Sequence, residues 1–345
     1  MNKLTQNILA SVAKIKIKEI LRSDKIKPVW AYVWVTRRCN FNCSYCYVRD
    51  NNAPEMTFEE MKLVIDKLKK MGCRMVAFMG GEPTLRKDLL DIIKYIRQKK
   101  MLSYLPTNGS LLTPQYIEEL VQAGLNFVNL AVDDPAELAG QKSWKKETID
   151  NLLKNRNKLK LIINTAVTRK NISRIPQLLE LCREKDILMA IRIISKPNLA
   201  EEMKYVAERP DENLFFDKNN KNDLEQVNNL ARFLIEKKRR GYPLGAPEEY
   251  FHLMKDFVNK KCSWPCYAGK FTLEINNDGK LLICSAFLKP MDIKFLDLDE
   301  KDFSLIQKER EKSLKICNKI CLSPAQFDTS YYLRNPREFF TKKIC

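Results

Sequence analysis

The chain has 345 residues and a formal net charge of +18, and this length allows a large core plus a smaller appendage. No apolar run reaches the length of a membrane span, and a single histidine excludes a histidine-rich zinc enzyme. Eleven cysteines without a secretory signal favour metal or redox chemistry in a cytoplasmic protein.

The N-terminal segment, residues 1–29, predicts a basic amphipathic helix. Leu4, Ile8 and Val12 recur at helical spacing, and lysines occupy the other face. Such a helix could contact a membrane peripherally or pack on the body of the protein, and the sequence leaves both open.

From residue 30 onward, strand patterns alternate with amphipathic helix patterns. Strands are predicted over 30–36, 74–81, 102–109, 126–134, 160–168 and 188–195. Helices are predicted over 58–72, 88–100, 113–124, 144–157 and 172–185, and a further helix over 225–240. Six successive βα units predict a parallel α/β sheet curved into a partial (β/α)6 TIM-like barrel over residues 30–240.

The tail, residues 255–345, has a different character. It is rich in cysteine, lacks the βα alternation, and contains a short hairpin pattern with a turn at Asp278-Gly279. We expect a small cysteine-rich α+β extension. Two other cysteines, Cys73 and Cys182, lie on or beside predicted helices and are interpreted as core thiols.

Three cysteines follow the first predicted strand with the spacing C-x3-C-x2-C, at Cys39, Cys43 and Cys46. In a parallel barrel this is the carboxyl-terminal face, where active sites are built. A structural zinc site would need four ligands. Three thiolates suit a [4Fe–4S] cluster with one iron left open for a small molecule.

The spacing and position of these cysteines resemble the signature of radical S-adenosylmethionine (SAM) enzymes. In that superfamily the open iron binds SAM, and reductive cleavage of SAM yields a 5′-deoxyadenosyl radical that abstracts hydrogen from a substrate. The resemblance implies that Cys39, Cys43 and Cys46 hold the catalytic cluster. It also implies that Tyr45, the aromatic residue before the third cysteine, packs near the adenine.

Segments after the later strands continue the resemblance. MGGEPTL (79–85) matches the GGEP motif of the superfamily. In this motif Gly80 and Gly81 would allow close backbone approach to a ligand, and Glu82, followed by Pro83, would hold the SAM ammonium. Further SAM contacts are implied where the third, fourth and fifth strands end, at Thr107, Asn108, Asp133, Asn164 and Thr165.

The tail resembles the auxiliary-cluster domains called SPASM and, in shortened form, twitch. The resemblance implies one additional [4Fe–4S] cluster, held by Cys266, Cys284, Cys317 and Cys321. Cys262 remains an alternative ligand, and zinc on the same thiolates remains a rival.

The substrate is not specified by these motifs. The resemblance implies an oxidoreductase or maturase that oxidises, decarboxylates or crosslinks a small molecule or peptide, with an electron donor such as flavodoxin or ferredoxin. Because the first strand begins at residue 30, we expect no leader-binding winged-helix unit before the barrel.

A non-enzymatic class is the alternative. The +18 charge would suit a zinc-stabilised nucleic-acid-binding protein, and the cysteines would suit an iron–sulfur electron-transfer protein. Neither needs the implied SAM contacts, and the sequence lacks the interleaved aromatic and basic residues of single-strand binders. Nucleic acid is therefore not the expected partner.

Overall fold

The computed structural model describes residues 26–139, 143–194, 210–285, 289–299, 303–317 and 321–335, and the predicted N-terminal helix lies almost wholly outside them. One eight-stranded sheet has the order β6-β5-β4-β3-β2-β1-β7-β8. Strands β1 to β6 are parallel neighbours in chain order, as successive βα units require. The predicted α/β fold, an open and mostly parallel sheet of the partial-barrel type, is confirmed.

The strands of the sheet match the predicted positions. They span Trp30–Thr36 (β1), Met75–Gly80 (β2), Leu102–Thr107 (β3), Phe127–Ala131 (β4), Lys160–Val167 (β5), Leu188–Ile193 (β6), Thr272–Ile275 (β7) and Leu281–Leu282 (β8). Strand β4 ends three residues earlier than predicted. One reason is that the Ala166 amide of β5 donates to the side chain of Asp133 rather than to a β4 carbonyl.

The described part of the chain contains ten α-helices. They span Phe58–Lys70 (α1), Leu89–Gln98 (α2), Pro114–Ala123 (α3), Pro135–Ala139 (α4), Ser143–Lys154 (α5), Ile175–Glu184 (α6), Lys221–Arg239 (α7), Glu248–Val258 (α8), Phe303–Cys317 (α9) and Pro324–Arg334 (α10). Thr113 caps α3 by accepting a hydrogen bond from the Tyr116 amide, and Pro114 follows it, as predicted. No helix in these segments is long and apolar enough to cross a membrane.

The two faces of the sheet differ in what they contact. In β1, Ala31, Val33 and Val35 are fully buried in the main hydrophobic core, together with buried residues of helices α1 and α2. Trp30, Tyr32 and Trp34 alternate with them and therefore lie on the opposite face. We call this opposite face the inner face. Cys73 and Cys182 are fully buried in the main core, which confirms their interpretation as core thiols.

The tail joins the barrel sheet rather than forming a separate one. Strand β7 pairs with β1 in parallel, and β8 pairs with β7 as an antiparallel hairpin. The predicted turn is present, with Gly279 at φ 81° and its amide donating to the Asn276 carbonyl. Gln326 of α10 hydrogen-bonds Thr272 and Glu274 of β7, so α10 packs against the inner face.

Candidate active site

The three cysteines lie on the loop that leaves β1. Residues 37–57 contain no helix or strand, and Cys39, Cys43 and Cys46 are all partly exposed. Hydrogen bonds hold this loop: the Cys39 amide donates to Asn51 Oδ1 at 2.9 Å, and the Cys46 amide donates to the Cys43 carbonyl at 2.8 Å. The structure therefore brings the predicted cysteines to the carboxyl end of the first strand on a fixed loop.

The thiols of this loop are close enough to influence one another. Burial raises the pKa of Cys43 to about 11, and Cys46 and Cys39 add to the rise. Burial also raises the pKa of Cys39, the Phe41 amide lowers it, and Glu82 and Cys46 raise it further. Burial thus favours the protonated thiols over the thiolates. The positive charge of bound iron would have the opposite effect and favour the thiolates.

The Gly80-Gly81 pair lets the end of β2 approach the chain's own backbone. A Cβ on Gly80 would overlap the Thr36 carbonyl oxygen, and a Cβ on Gly81 would overlap the Arg38 carbonyl oxygen. The Gly81 amide donates to Thr36 O at 3.0 Å, and the Glu82 amide donates to Arg38 O at 2.8 Å. These glycines therefore allow the strand that leads into the cysteine loop to approach closely, and their approach to a ligand stays a prediction.

Glu82 is a buried carboxylate surrounded by donors. Its side chain is 1% exposed, and its Oε1 accepts hydrogen bonds from the Thr84 amide, the Thr84 hydroxyl and the Thr107 hydroxyl. Its Oε2 accepts the Asn108 amide at 2.7 Å. In the described segments no lysine or arginine forms an ion pair with it. Four hydrogen bonds from neutral groups thus orient the Glu82 carboxylate, and no cationic side chain of the described residues pairs with it.

The two residues predicted at the end of β3 behave differently. The Thr107 hydroxyl donates to Glu82 and accepts the Gly109 amide, so Thr107 orients Glu82, and its predicted SAM contact stays a prediction. Asn108 donates from Nδ2 to Asn40 Oδ1 at 2.9 Å. Because Asn40 follows Cys39, this bond ties the end of β3 to the cysteine loop.

Tyr45 and Asp133 meet although 88 residues separate them. The Tyr45 hydroxyl donates to Asp133 Oδ2 at 2.8 Å, and Asp133 Oδ1 accepts the Ala166 amide at the same distance. Burial raises the pKa of Asp133, while the Ala166 amide and the Tyr45 hydroxyl lower it. The structure therefore places two predicted SAM contacts against each other beside Cys43.

The two predicted contacts on β5 point to opposite faces. Thr165 is fully buried, and its hydroxyl donates to the Val132 carbonyl at 2.7 Å. It shares a face with Ile163 and Val167, which belong to the main core. Asn164 lies on the inner face, because successive strand residues alternate. The prediction that both residues face the site is wrong for Thr165.

Three of the four predicted auxiliary ligands influence one another. Burial raises the pKa of Cys266 to about 11, and Cys317 adds to it. Burial raises the pKa of Cys321 to about 12, and Cys266 and Cys317 contribute to this rise. Arg310 donates to the Cys266 carbonyl at 2.7 Å and so ties α9, which ends at Cys317, to the Cys266 segment.

The other two tail cysteines have different surroundings. Cys284 is buried, and both it and Cys321 raise the pKa of Tyr47, the residue after Cys46. Cys262 is also buried, and burial and the Asp256 carboxylate raise its pKa to about 12. Cys284 and Cys321 therefore both lie near Tyr47. Among the described residues, no other tail cysteine contributes to the raised pKa of Cys262.

Two supporting residues were missed by the sequence analysis. Glu55 accepts hydrogen bonds from the Thr36 hydroxyl and from Arg38 Nε, and so clamps both ends of the segment before Cys39. Arg86 is 5% exposed and donates to the Val35 and Met56 carbonyls. Its position just after the GGEP segment was the one available signal.

In the described ranges, no three histidine, cysteine or acidic side chains are placed around a point that could hold a single metal ion. A four-iron cluster does not require such a point, because each thiolate binds a different iron. The three loop cysteines, which are partly exposed and of which Cys46 raises the pKa of the other two, supply the soft donors that such a cluster takes.

These features define an open βα barrel with thiolates and a buried carboxylate where its strands end. Residues 33–182 match the sequence model of the family described as "Radical SAM superfamily". This match covers less than half of the chain, so the sequence similarity to radical SAM proteins is limited to the segment that contains the cysteine loop and the GGEP segment.

Curated relatives match just under half of the chain. The Fe-coproporphyrin III synthase of Methanosarcina barkeri is 32% identical over 170 residues, which cover 47% of this chain and 42% of that protein. The PqqA peptide cyclase of Bradyrhizobium diazoefficiens is 29% identical over 168 residues, covering 46% and 44%. The match thus spans less than half the length of these relatives.

One solved structure resembles nearly the whole chain. The crystal structure of Streptococcus suis SuiB aligns with a TM-score of 0.63 at 18% identity and covers 99% of this chain and 81% of that one. At this identity the similarity establishes the fold alone.

Proposed function

We propose that this chain is a radical SAM enzyme that binds a [4Fe–4S] cluster on Cys39, Cys43 and Cys46. When bound, the cluster and SAM supply reductive cleavage and a radical that abstracts hydrogen from a small molecule or peptide. The names of the two curated relatives refer to a porphyrin and a peptide, so the choice between these substrate classes stays open.

The observation that carries the proposal is the surrounding of Glu82. This carboxylate is buried, has no ion-pair partner in the described part of the chain, and raises the pKa of Cys39. Its Oε2 accepts one hydrogen bond and keeps a lone-pair direction for another donor. The ammonium of SAM, bound beside an iron held by Cys39, would supply both the missing donor and the missing charge.

The neighbouring residues have supporting roles in the proposal. Thr107 orients Glu82, and Asn108 fixes the cysteine loop through Asn40. Tyr45 and Asp133, bonded to each other, would contact the adenine and ribose portions of SAM, with Asn164 on the same inner face.

The tail is proposed to hold an auxiliary [4Fe–4S] cluster on Cys266, Cys284, Cys317 and Cys321. The mutual influence of Cys266, Cys317 and Cys321 supports this set, and the separate surroundings of Cys262 argue against its participation. Tyr47 is near thiols of both cysteine groups, which would bring the two clusters close to one another. An electron donor such as flavodoxin or ferredoxin is proposed to reduce them.

The direct test is reductive cleavage of SAM by the anaerobically reconstituted protein with dithionite. Wild type should produce 5′-deoxyadenosine, and Cys39→Ala, Cys43→Ala and Cys46→Ala should each lose this product. Cys182→Ala, which removes a core thiol, is the matched control and should retain it. Product formation by any of the three loop variants would overturn the cluster assignment.

A second test separates SAM binding from cluster binding. Glu82→Gln should keep its iron and weaken SAM affinity by about tenfold or more, because the charged partner of the ammonium is lost. Glu184→Gln, which changes an exposed carboxylate on α6, is the control. Unchanged SAM affinity in Glu82→Gln would remove Glu82 from the site.

A further inference from the structure

Arg192 lies on the inner face of the last barrel strand. Its neighbours Ile191 and Ile193 are each 1% exposed and belong to the main core, so alternation directs Arg192 to the opposite face. It pairs with Ala166 of β5, whose amide is bonded to Asp133. Arg192 is therefore one strand away from the proposed SAM contacts.

The guanidinium of Arg192 has no hydrogen bond or ion pair with any residue that the structure describes. Other arginines beneath the surface are satisfied: Arg86 pairs with Asp88, and Arg169 pairs with Asp223. Holding a guanidinium away from water without an acceptor is unfavourable, since charged groups in such positions normally have a partner. Arg192 is partly buried rather than sealed, so an incoming acceptor can reach it.

The surroundings of Arg192 link the two cysteine groups. Burial lowers the pKa of its guanidinium, whereas Tyr47, Tyr250, Cys321 and Tyr45 raise it, and the net shift is upward. Tyr45 and Tyr47 flank Cys46 on the loop, and Cys321 begins the segment before α10. The cation is therefore near both the cysteine loop and Cys321 of the proposed auxiliary ligands.

We propose that Arg192 binds a carboxylate of the substrate and positions the substrate between the two cysteine groups. This inference rests on the proposed function and extends it by naming a chemical group that the substrate carries. Guanidinium and carboxylate match in shape and charge and form two parallel hydrogen bonds. The tyrosine rings on either side would limit access of water to this pair and so strengthen it.

Two other acceptors are chemically reasonable and would give different results. The carboxylate of SAM could occupy Arg192, in which case its loss would weaken SAM binding. The negative charge of an auxiliary cluster could also satisfy it, in which case its loss would change the reduction potential of that cluster. Only a substrate carboxylate predicts selective binding of a carboxylate ligand to the SAM-loaded protein.

The test is isothermal titration of the reconstituted, SAM-loaded protein with two matched probe pairs. N-acetylglycine against N-acetylglycinamide represents a small free carboxylate. Acetyl-Ala-Glu-Ala-amide against acetyl-Ala-Gln-Ala-amide represents an acidic peptide side chain. In at least one pair the carboxylate probe should bind about tenfold more tightly than its amide, as expected for a charged hydrogen bond.

Variants show whether Arg192 causes this preference. Arg192→Met should remove it, and Arg192→Lys should retain part of it because the charge remains without the paired donors. Arg183→Met, which changes an exposed arginine on α6, should behave as wild type. If Arg192→Met does not fold or bind iron, Arg192→Lys carries the comparison.

The inference is overturned by no carboxylate preference in wild type, or by a preference that survives in Arg192→Met. It is also overturned if the Arg192 variants lose only SAM affinity or shift only the cluster potential. Formation of 5′-deoxyadenosine by wild type, measured on the same preparation, separates the two claims. Its presence without carboxylate preference rejects the Arg192 inference alone, and its absence rejects the proposed function.

Discussion

The hydroxyl of Tyr45 donates a 2.8 Å hydrogen bond to the carboxylate of Asp133. This bond connects the cysteine loop to the segment that follows β4, and the carboxylate also accepts the amide of Ala166 on β5. The cysteine loop, the segment after β4 and strand β5 are thus held together by hydrogen bonds that need no ligand.

Tyr45→Phe should lower the free energy of unfolding by about 1 kcal/mol, because it removes one hydrogen bond and leaves a buried carboxylate with fewer donors. It should also weaken SAM binding severalfold. Tyr95→Phe is the matched control, since Tyr95 donates a bond of the same length to Asp66 away from the site. Equal SAM affinity in both variants would show that Tyr45 is not part of the SAM site.

The glycine pair of the GGEP segment gives a steric prediction. Gly81→Ala should destabilise the protein by about 1–3 kcal/mol and reduce iron retention, because the new methyl group overlaps the carbonyl of Arg38. Gly245→Ala provides the control: its Cβ would meet only ordinary neighbours, the nearest at 3.6 Å. Thermal unfolding and iron content of the two variants check this. A well-folded, iron-replete Gly81→Ala protein would contradict the structure of the turn.

Asp328 on α10 gives a prediction about pH. Burial raises the pKa of this carboxyl to about 8 from an ordinary 3.8, and Lys238 partly opposes the shift. Tyr32, Tyr104 and Tyr250 face it, and their own pKa values are raised in part by its charge. Its Oδ1 is buried and has no hydrogen-bond partner within the described residues.

Because the folded pKa lies above the unfolded one, the native state keeps a proton that the unfolded chain releases. Asp328 therefore lowers stability increasingly from about pH 4 to about pH 8, and no further above that. Asp328→Asn should raise the free energy of unfolding by several kcal/mol at pH 8 and by much less at pH 5. Thermal unfolding across this range checks the trend, with the exposed Asp292→Asn as control. A gain that does not depend on pH would contradict it.

The barrel and its strand ends could be predicted because their signals are local. Hydrophobic alternation, the Thr113-Pro114 helix start and the cysteine spacing each depend on residues near one another in the chain. Strand alternation could also have separated Asn164 from Thr165, but the motif resemblance treated them as one unit.

Other features depended on contacts that the sequence does not display. The pairing of β7 with β1 joins strands more than 200 residues apart, and it makes the tail part of the barrel sheet. Glu55 and Arg86 act through carbonyl and hydroxyl partners that only the folded loop brings near. Arg192 stands in an ordinary strand pattern, and its lack of an acceptor among the described residues is visible only in three dimensions.

The central claim is that the loop cysteines hold one four-iron cluster and the tail cysteines hold another. The most direct measurement is iron and sulfide per chain after anaerobic reconstitution, on wild type and on the Cys39/Cys43/Cys46 triple alanine variant. The account predicts about eight irons in wild type and about four in the variant. Absence of iron in both would contradict it, and iron content unaffected by the triple substitution would place the iron elsewhere.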